Sequence, residues 1–229
     1  MKTNASLSLT KQAYQTLKER IMRLQLRPGE LLMVQPLAKD MGLSRTPVRE
    51  ALIRLERDGF VEEAEGKKFR VSELSLTDII EIHEIRELIE LHTVRNAALN
   101  CGADQLTELS VFTALMEEAV AKNDHIAFFQ QDMAFHARLV NYCGNQTLEN
   151  LVFQLNEKIQ RIRHLTTFVY HRLEDTIGEH EAIVNSIEKG DSERAAQAMK
   201  YHLDQVRNGV IKLFEDGTMN FFGGVNLEK

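Results

Sequence analysis

Apolar residues recur every three or four positions through the first sixty residues, a spacing that predicts short amphipathic helices. The predicted helices span 10–25, 35–41 and 44–58, and their inward-facing stripes include Leu17, Ile21, Val48, Leu52 and Leu55. Thr10 is the expected N-cap of the first helix, and Gly42 is expected to end the second. Two β-prone runs, 60–64 and 67–71, flank a glycine-containing turn and predict a hairpin. This order is that of a winged helix–turn–helix.

From residue 76 onward the helical spacing continues, and no strand-like alternation competes with it. Five or six helical stretches are predicted, at about 76–100, 104–122, 124–142, 146–167, 172–188 and 191–215, and Asp191 is the expected N-cap of the last. Short connections between them favour antiparallel neighbours. The fold class is therefore mainly α: an N-terminal winged helix–turn–helix followed by an all-α antiparallel helical bundle. The expected parts are a first domain at 1–73, a second at 74–217 and a C-terminal tail at 218–229.

Charge divides the chain at nearly the same place. Residues 1–72 hold 14 Lys/Arg and 9 Asp/Glu, a balance of +5, whereas residues 73–229 hold 14 and 25, a balance of −11. The first part therefore suits a polyanionic partner. No run of 18 apolar residues and no secretory signal pattern occurs, so no membrane segment is expected. The two cysteines have no CxxC spacing, and a reducing cytoplasm is the expected location.

The predicted third helix carries basic residues at its beginning. Arg45 and Arg49 are four positions apart and share a face, with Thr46 beside them. A helix in the major groove reads bases with its N-terminal residues, and an arginine fork can donate to both O6 and N7 of guanine. Gly66 and Lys67, at the tip of the hairpin, suit a phosphate or minor-groove contact. The alternative is that the arginines only solvate a surface helix, but the helix–turn–helix context favours DNA contact.

These residues resemble the N-terminal domain of the GntR family of bacterial transcription regulators. The resemblance covers residues 10–72 and lies in the Pro28-Gly29 turn, the run LSRTPVREAL at 43–52 and the Arg54-Leu55…Asp58-Gly59 ending. It implies that Arg45, Thr46, Arg49 and Gly66 contact the operator. Some members carry a DNA-contacting arginine near the start of the second helix, where Gln35 stands here. Glutamine can read adenine instead.

All eight histidines lie in the second part of the chain, where four residues form a candidate metal site. Asp132 and His136 are four apart in one predicted helix, and His180 and His202 lie in two others. One carboxylate and three imidazoles suit a divalent metal with an open position. Zinc suits such ligands best, and nickel and manganese stay open. The alternative is that these histidines are exposed or satisfied in the core. The other histidines are expected to be solvated or capping residues: His83, His92, His125, His164 and His171.

Residues 76–217 are similar to the all-helical FCD effector domain of the FadR-type GntR regulators. The matching features are IRELIE at 85–90, the Asp132…His136 pair, Gly144-Asn145, the run 179–191 and His202. The resemblance implies that the Asp and three His hold a metal and that a small carboxylate completes its coordination. It also implies that Arg86 reaches this ligand, although Arg86 has an intrahelical alternative partner in Glu90. Arg138 and Arg163 are further ligand candidates. Six helices would match the shorter, VanR-like variant.

Together these features favour a homodimeric transcription regulator that reads a near-palindromic operator and binds a small organic acid effector beside the metal. Relief of repression by the acid is the expected direction. Two alternatives stay open, a metal-dependent enzyme fused to a DNA-binding domain and a regulator that senses the metal itself. No general base stands out beside the four ligands, and neither GxSxG nor a phosphate-binding glycine loop occurs, so no enzymatic activity is expected.

Overall fold

The computed structural model describes residues 2–22, 25–66, 68–73, 75–152 and 172–215, with side chains from residue 8 onward. The chain divides into two compact units, an N-terminal unit of Met1–Leu76 with Phe214–Lys229 and a C-terminal unit of Thr77–Leu213. The N-terminal unit combines helices with a small sheet, whereas every regular element described in the C-terminal unit is a helix. The mainly α fold class predicted from the hydropathy pattern is confirmed.

The described part of the N-terminal unit is a winged helix–turn–helix. Its helices are α1 (Lys2–Met22), α2 (Val34–Asp40) and α3 (Arg45–Arg57), and its strands are β1 (Leu31–Leu32), β2 (Val61–Ala64) and β3 (Lys68–Val71). The strands form an antiparallel sheet of order β1-β3-β2. In the predicted hairpin Val61 pairs with Val71, and on the other edge of β3 Leu31 pairs with Arg70.

A single apolar core holds these elements together. Leu17 of α1, Leu52 and Leu55 of α3 and Phe69 of β3 belong to it, and each is buried. The helical members are those that the three-to-four spacing predicts on one face. Gly42 follows α2 with φ +64°, a conformation that side chains disfavour, and so it ends that helix as expected.

The first helix begins well before its predicted start. Because α1 extends from Lys2, Thr10 lies inside the helix, and the prediction that it is the N-cap is wrong. The Thr10 hydroxyl instead donates to Glu50 Oε2 at 2.8 Å and so ties α1 to α3. The predicted stripe begins at Ala13, but Leu9 stands four positions earlier in the same register and, being 40% exposed, does not join the core.

The C-terminal unit is an assembly of packed helices. They are α4 (Leu76–Asn100), α5 (Ala103–Ala121), α6 (His125–Tyr142), α7 (described from 146 to 152), α8 (Leu173–Glu188) and α9 (Ser192–Glu215). The described ends fall within one residue of the predicted ones, and the remainder of the predicted helix at 146–167 lies outside the described residues. Asp191, expected to cap the last helix, accepts a hydrogen bond from the Arg194 backbone N–H at 3.0 Å.

The core of this unit surrounds α5 and α6. Helix α5 packs against α6 and α8, and the residues at these contacts include the fully buried Leu109, Met116, Phe135 and Ile183. Within the described ranges, no helix combines the length and apolar character that crossing a membrane requires. Buried polar side chains interrupt this core on α4, α6, α8 and α9, and the packing of these helices holds them in place.

Candidate metal centre and DNA-reading surface

The beginning of α3 turns one side to the core and the other to solvent. Val48 and Leu52 are fully buried, whereas Arg45, Thr46 and Arg49 are exposed. Among the described residues, neither of the two arginines has an ion-pair partner. Their guanidinium groups are therefore free to meet a polyanion at little desolvation cost.

One groove collects most of the residues that the sequence assigns to DNA contact. Its lining includes Gln35 of α2, Arg45, Thr46 and Arg49 of α3, and Gly66 and Lys68 of the wing. The groove also contains one acid, Glu50, which already accepts the Thr10 hydroxyl. Gly66 has φ +76°, which explains a glycine at the wing turn. Lys67 lies outside the described residues, and Lys68 supplies a basic side chain beside it.

The four predicted metal ligands converge inside the C-terminal unit. Asp132, His136, His180 and His202 are all buried, and one ligand atom from each lies within 4.8 Å of the others. His180 Nε2 is 3.3 Å from His136 Nε2 and 3.3 Å from Asp132 Oδ1, and His136 Nε2 is 3.6 Å from Asp132 Oδ1. The four side chains come from α6, α8 and α9. They form a buried group that could hold a metal ion.

Hydrogen bonds orient all three imidazoles the same way. His136 Nδ1 donates to Glu90 Oε2 at 2.5 Å, His180 Nδ1 to the Thr176 carbonyl at 2.7 Å, and His202 Nδ1 to Glu179 Oε2 at 2.8 Å. Because carboxylates and carbonyls only accept, each Nδ1 carries a proton, and in a neutral imidazole this leaves the Nε2 lone pair for a metal. Such outer partners fix the tautomer of metal-ligating histidines and raise their basicity.

This arrangement fits a divalent cation. The Nε2 lone pairs of His136 and His180 face each other beside the Asp132 carboxylate, so the centre of the group offers acceptors and no donor hydrogen. Burial, followed by the charges of His180 and His136, holds the pKa of His202 well below its usual value. A neutral His202 is the form that binds metal. The donor set of three nitrogens and one oxygen suits zinc, nickel or manganese.

Arg86 lies next to this group, as the family resemblance implies. Its side chain is 2% exposed, and its Nε donates to Glu90 Oε1 at 2.8 Å. The intrahelical pair considered from the sequence therefore exists. The two terminal amino groups of Arg86 are also buried, and they meet no hydrogen-bond partner among the residues that the structure describes. Unsatisfied buried donors are costly, so these two amino groups require an acceptor.

The other two ligand candidates do not join the group. Arg138 lies on α6 only two residues after His136 and therefore on a different face of the helix. Its side chain is 44% exposed and bonds to Glu108, with Nε to Oε1 at 2.7 Å. Arg138 thus belongs to the surface, and its interpretation as an effector ligand is not retained. Arg163 lies outside the described residues.

Sequence reasoning missed the residues that support the ligands. Glu90 and Glu179 are buried, and the expectation that His83 is solvated or capping is wrong, because it is 4% exposed. One signal was available: His83, Arg86, Glu90 and Thr93 follow each other at helical spacing along α4. A polar stripe with the spacing of a buried face needs internal partners. His92 is exposed as expected, His125 is half-buried, and His164 and His171 lie outside the described ranges.

The fold and these two sites define a transcriptional regulator with a helix–turn–helix DNA-binding domain and a separate effector domain. Comparison with protein families agrees with this class. Residues 9–71 match the family described as "Bacterial regulatory proteins, gntR family", and residues 81–205 match the "FCD domain". The chain belongs to the GntR family, and its FCD domain fits the FadR subfamily.

Individual relatives support the same assignment. The chain is 30% identical over 210 residues to the HTH-type transcriptional regulator YdhC of Bacillus subtilis, which covers 91% of this chain and 94% of YdhC. It is 23% identical over 215 residues to the HTH-type transcriptional repressor RspR of Escherichia coli, covering 94% of each. Its fold is similar to that of E. coli McbR/YncC, with a TM-score of 0.73 and 24% identity over 90% of this chain and 98% of that one. The matched families and relatives are transcriptional regulators and not enzymes.

Proposed function

We propose that this protein is a cytoplasmic, homodimeric repressor whose operator affinity is controlled by a small organic acid bound beside a metal in the C-terminal domain. Asp132, His136, His180 and His202 hold the metal, and Arg86 binds the acid. The observation that carries the proposal is the pair of buried, unsatisfied amino groups of Arg86 next to a buried group of four metal ligands. The repressor direction is supported by the relative RspR, which is described as a transcriptional repressor.

The charges around the site support a carboxylate as the ligand. Among the described residues, two arginines, Arg86 and Arg172, stand against the buried carboxylates of Glu90, Glu179 and Asp132, which leaves one negative charge. A divalent cation would reverse this balance to one positive charge and would supply an open coordination position. A single carboxylate then neutralises the group, and its two oxygens match the parallel donors of a guanidinium.

The groove of the N-terminal unit supports the DNA-binding half of the proposal. Arg45, Thr46 and Arg49 read base edges in the major groove, Gln35 reads an adjacent base, and Gly66 and Lys67 follow the backbone. A homodimer presents two such grooves, so the operator is near-palindromic. The acid changes operator affinity because it binds the DNA-competent and DNA-incompetent arrangements with different affinities.

Selection from a random duplex library by the purified, zinc-loaded protein tests this proposal. We expect enrichment of a near-palindromic site that survives random competitor at physiological salt. A panel of organic acids is then titrated against that duplex while each acid is followed chemically. We expect one acid to weaken DNA binding in the zinc-loaded protein and to have little effect after zinc is removed.

Three other outcomes would count against the proposal. Absence of preference for any duplex contradicts the DNA-binding half. Consumption of an acid at an enzymatic rate indicates a catalyst instead. A full change in DNA affinity caused by zinc alone, with no response to any acid, indicates a metal sensor. Light scattering on the same sample checks for the dimer.

A further inference from the structure

Two chains of hydrogen bonds, each running from an arginine through a glutamate to a histidine, end at the candidate metal group. In the first, Arg86 Nε donates to Glu90 Oε1 at 2.8 Å and His136 Nδ1 donates to Glu90 Oε2 at 2.5 Å. Glu90 therefore divides its two oxygens between an arginine and a metal ligand. The carboxylate that orients His136 is also the counter-ion of Arg86.

The second chain contains the same three residue types, but its arginine is more exposed to solvent. Arg172 donates to Glu179 Oε1, and His202 Nδ1 donates to Glu179 Oε2 at 2.8 Å. The side chain of Arg172 is 21% exposed and also pairs with Asp175 at 3.6 Å. Its charge is thus shared with a second acid and with water. Arg86, by contrast, is almost fully buried and keeps two donors that no described residue satisfies.

We propose that Glu90 is a shared counter-ion that couples anion binding at Arg86 to metal binding at His136, an inference that rests on the proposed function. Without an anion, Glu90 is the carboxylate of the described residues that neutralises the guanidinium. When an anion bonds to the two free amino groups, the positive charge is divided between two partners, and more of the Glu90 charge acts on His136. A more strongly polarised imidazole is a better metal ligand.

This coupling makes Glu90 act in opposite directions on the two sites. For the metal it is a supporting partner, because it orients His136. For the anion it is a competitor, because it pairs with the same guanidinium that the anion would bind. Since linkage is reciprocal, an anion that tightens metal binding must itself bind more tightly when the metal is present. Glu179 supports His202 but faces no such free guanidinium.

Three variants of the full-length protein separate these roles. Glu90→Gln keeps the side chain's shape and removes its charge, Glu90→Asp keeps the charge and shortens the reach to His136, and Glu179→Gln is the matched control. Zinc affinity is measured by competition with a chromophoric chelator. Acetate affinity of the zinc-free protein is measured by calorimetry, and circular dichroism checks that each variant is folded.

We expect all three variants to bind zinc about 10- to 100-fold more weakly, the usual cost of losing an outer partner of a ligand. Only Glu90→Gln should bind acetate more tightly, by at least about fivefold. Glu90→Asp and Glu179→Gln should leave acetate affinity close to that of the wild type. Glu90→Asp keeps the buried guanidinium neutralised, so it tests the coupling even if Glu90→Gln fails to fold.

The inference is overturned if Glu90→Gln leaves zinc affinity unchanged or changes acetate affinity no more than Glu179→Gln does. It is also overturned if Glu90→Asp matches the wild type in zinc affinity, because orientation of His136 would then not depend on this carboxylate. Wild-type protein that binds no zinc contradicts the proposed function itself. The wild-type and variant arms therefore distinguish the two failures.

Discussion

The two candidate sites of this protein differ in how they are built. The DNA-reading surface takes three residues from the beginning of one helix, and these residues are exposed. The metal group takes four buried residues from three helices. The three α3 residues of the first site share an exposed face because of their order along a single helix, whereas the four ligands of the second meet only after the bundle has packed.

Burial also determines how many supporting hydrogen bonds each site requires. Exposed arginines are hydrated and carry little penalty when they have no partner. Buried imidazoles and carboxylates must be satisfied, and each histidine of the metal group is accordingly held by Glu90, Thr176 or Glu179. Three of the four candidate ligands, the histidines, therefore each have a supporting partner of their own. A long polyanion suits the open surface, and a small ligand suits the enclosed group.

The largest effect should follow the removal of a buried ligand. We expect His180→Ala to reduce zinc affinity by more than the roughly 100-fold that the loss of an outer partner can cost, because one of four donors disappears. Zinc per chain should fall from near one to near zero in elemental analysis, and the response to the effector should disappear with it. The helix–turn–helix should stay folded by circular dichroism.

His92→Ala is the matched control for this experiment, because His92 is exposed on α4. It should keep the zinc content of the wild type. Full zinc stoichiometry in His180→Ala would show that His180 is not a ligand. The buried group of four residues would then not be the zinc site.

A smaller but still large effect is expected at the exposed site. Arg49→Ala should weaken specific DNA binding by about 10- to 100-fold per half-site, because one bidentate base contact contributes about 1–3 kcal/mol. Because a dimer contacts two half-sites, the loss of this contact in both would abolish specific binding at ordinary protein concentrations. Electrophoretic mobility or anisotropy assays with the selected duplex measure this loss.

Arg57→Ala provides the comparison on the same helix, because Arg57 is exposed in the last turn of α3. It should change specific affinity little. If Arg49→Ala retained specific binding while Arg57→Ala lost it, the beginning of α3 would not be the reading element.

The smallest effect concerns a thiol in the C-terminal unit. Burial, followed by the charge of Cys143, raises the pKa of Cys101 to about 11. Since only the thiolate reacts, Cys101 should be alkylated about 100-fold more slowly at pH 8 than a thiol of ordinary pKa, and its rate should keep rising up to about pH 11. Mass spectrometry after iodoacetamide treatment follows the rate. Equal rates in native and urea-unfolded protein would show that this packing does not protect the thiol.

Much of the fold could be predicted because its signals are local. The helices described in the C-terminal unit follow from apolar spacing and from punctuation such as Asp191, which caps α9 as expected. The start of α1 was not predicted, because residues 8–12 are not buried and so carry no core-facing stripe. Threonine is a residue type that often caps helices, but the Thr10 hydroxyl donates to Glu50, forty positions away in the sequence.

The candidate metal group likewise has features that follow from the sequence and features that depend on packing. Asp132 and His136 share a face because they are four apart, and this could be read from the chain alone. That Glu90 holds His136, or that Arg138 turns outward to Glu108, depends on which helices pack against α6. The burial of a glutamate or a histidine such as His83 is a property of the packed bundle, not of its own neighbourhood in the sequence.

The helical periods, the basic beginning of α3 and four candidate ligands of two residue types, Asp and His, could be read from the chain alone, because they depend on residue identity and on spacing within single elements. Only the tertiary structure decided that the four ligands meet, which nitrogen of each histidine faces the centre, and that Arg86 keeps two buried donors free of described partners. The reason is physical: hydrogen-bond satisfaction inside a bundle is a relation between helices, and no single helix carries it.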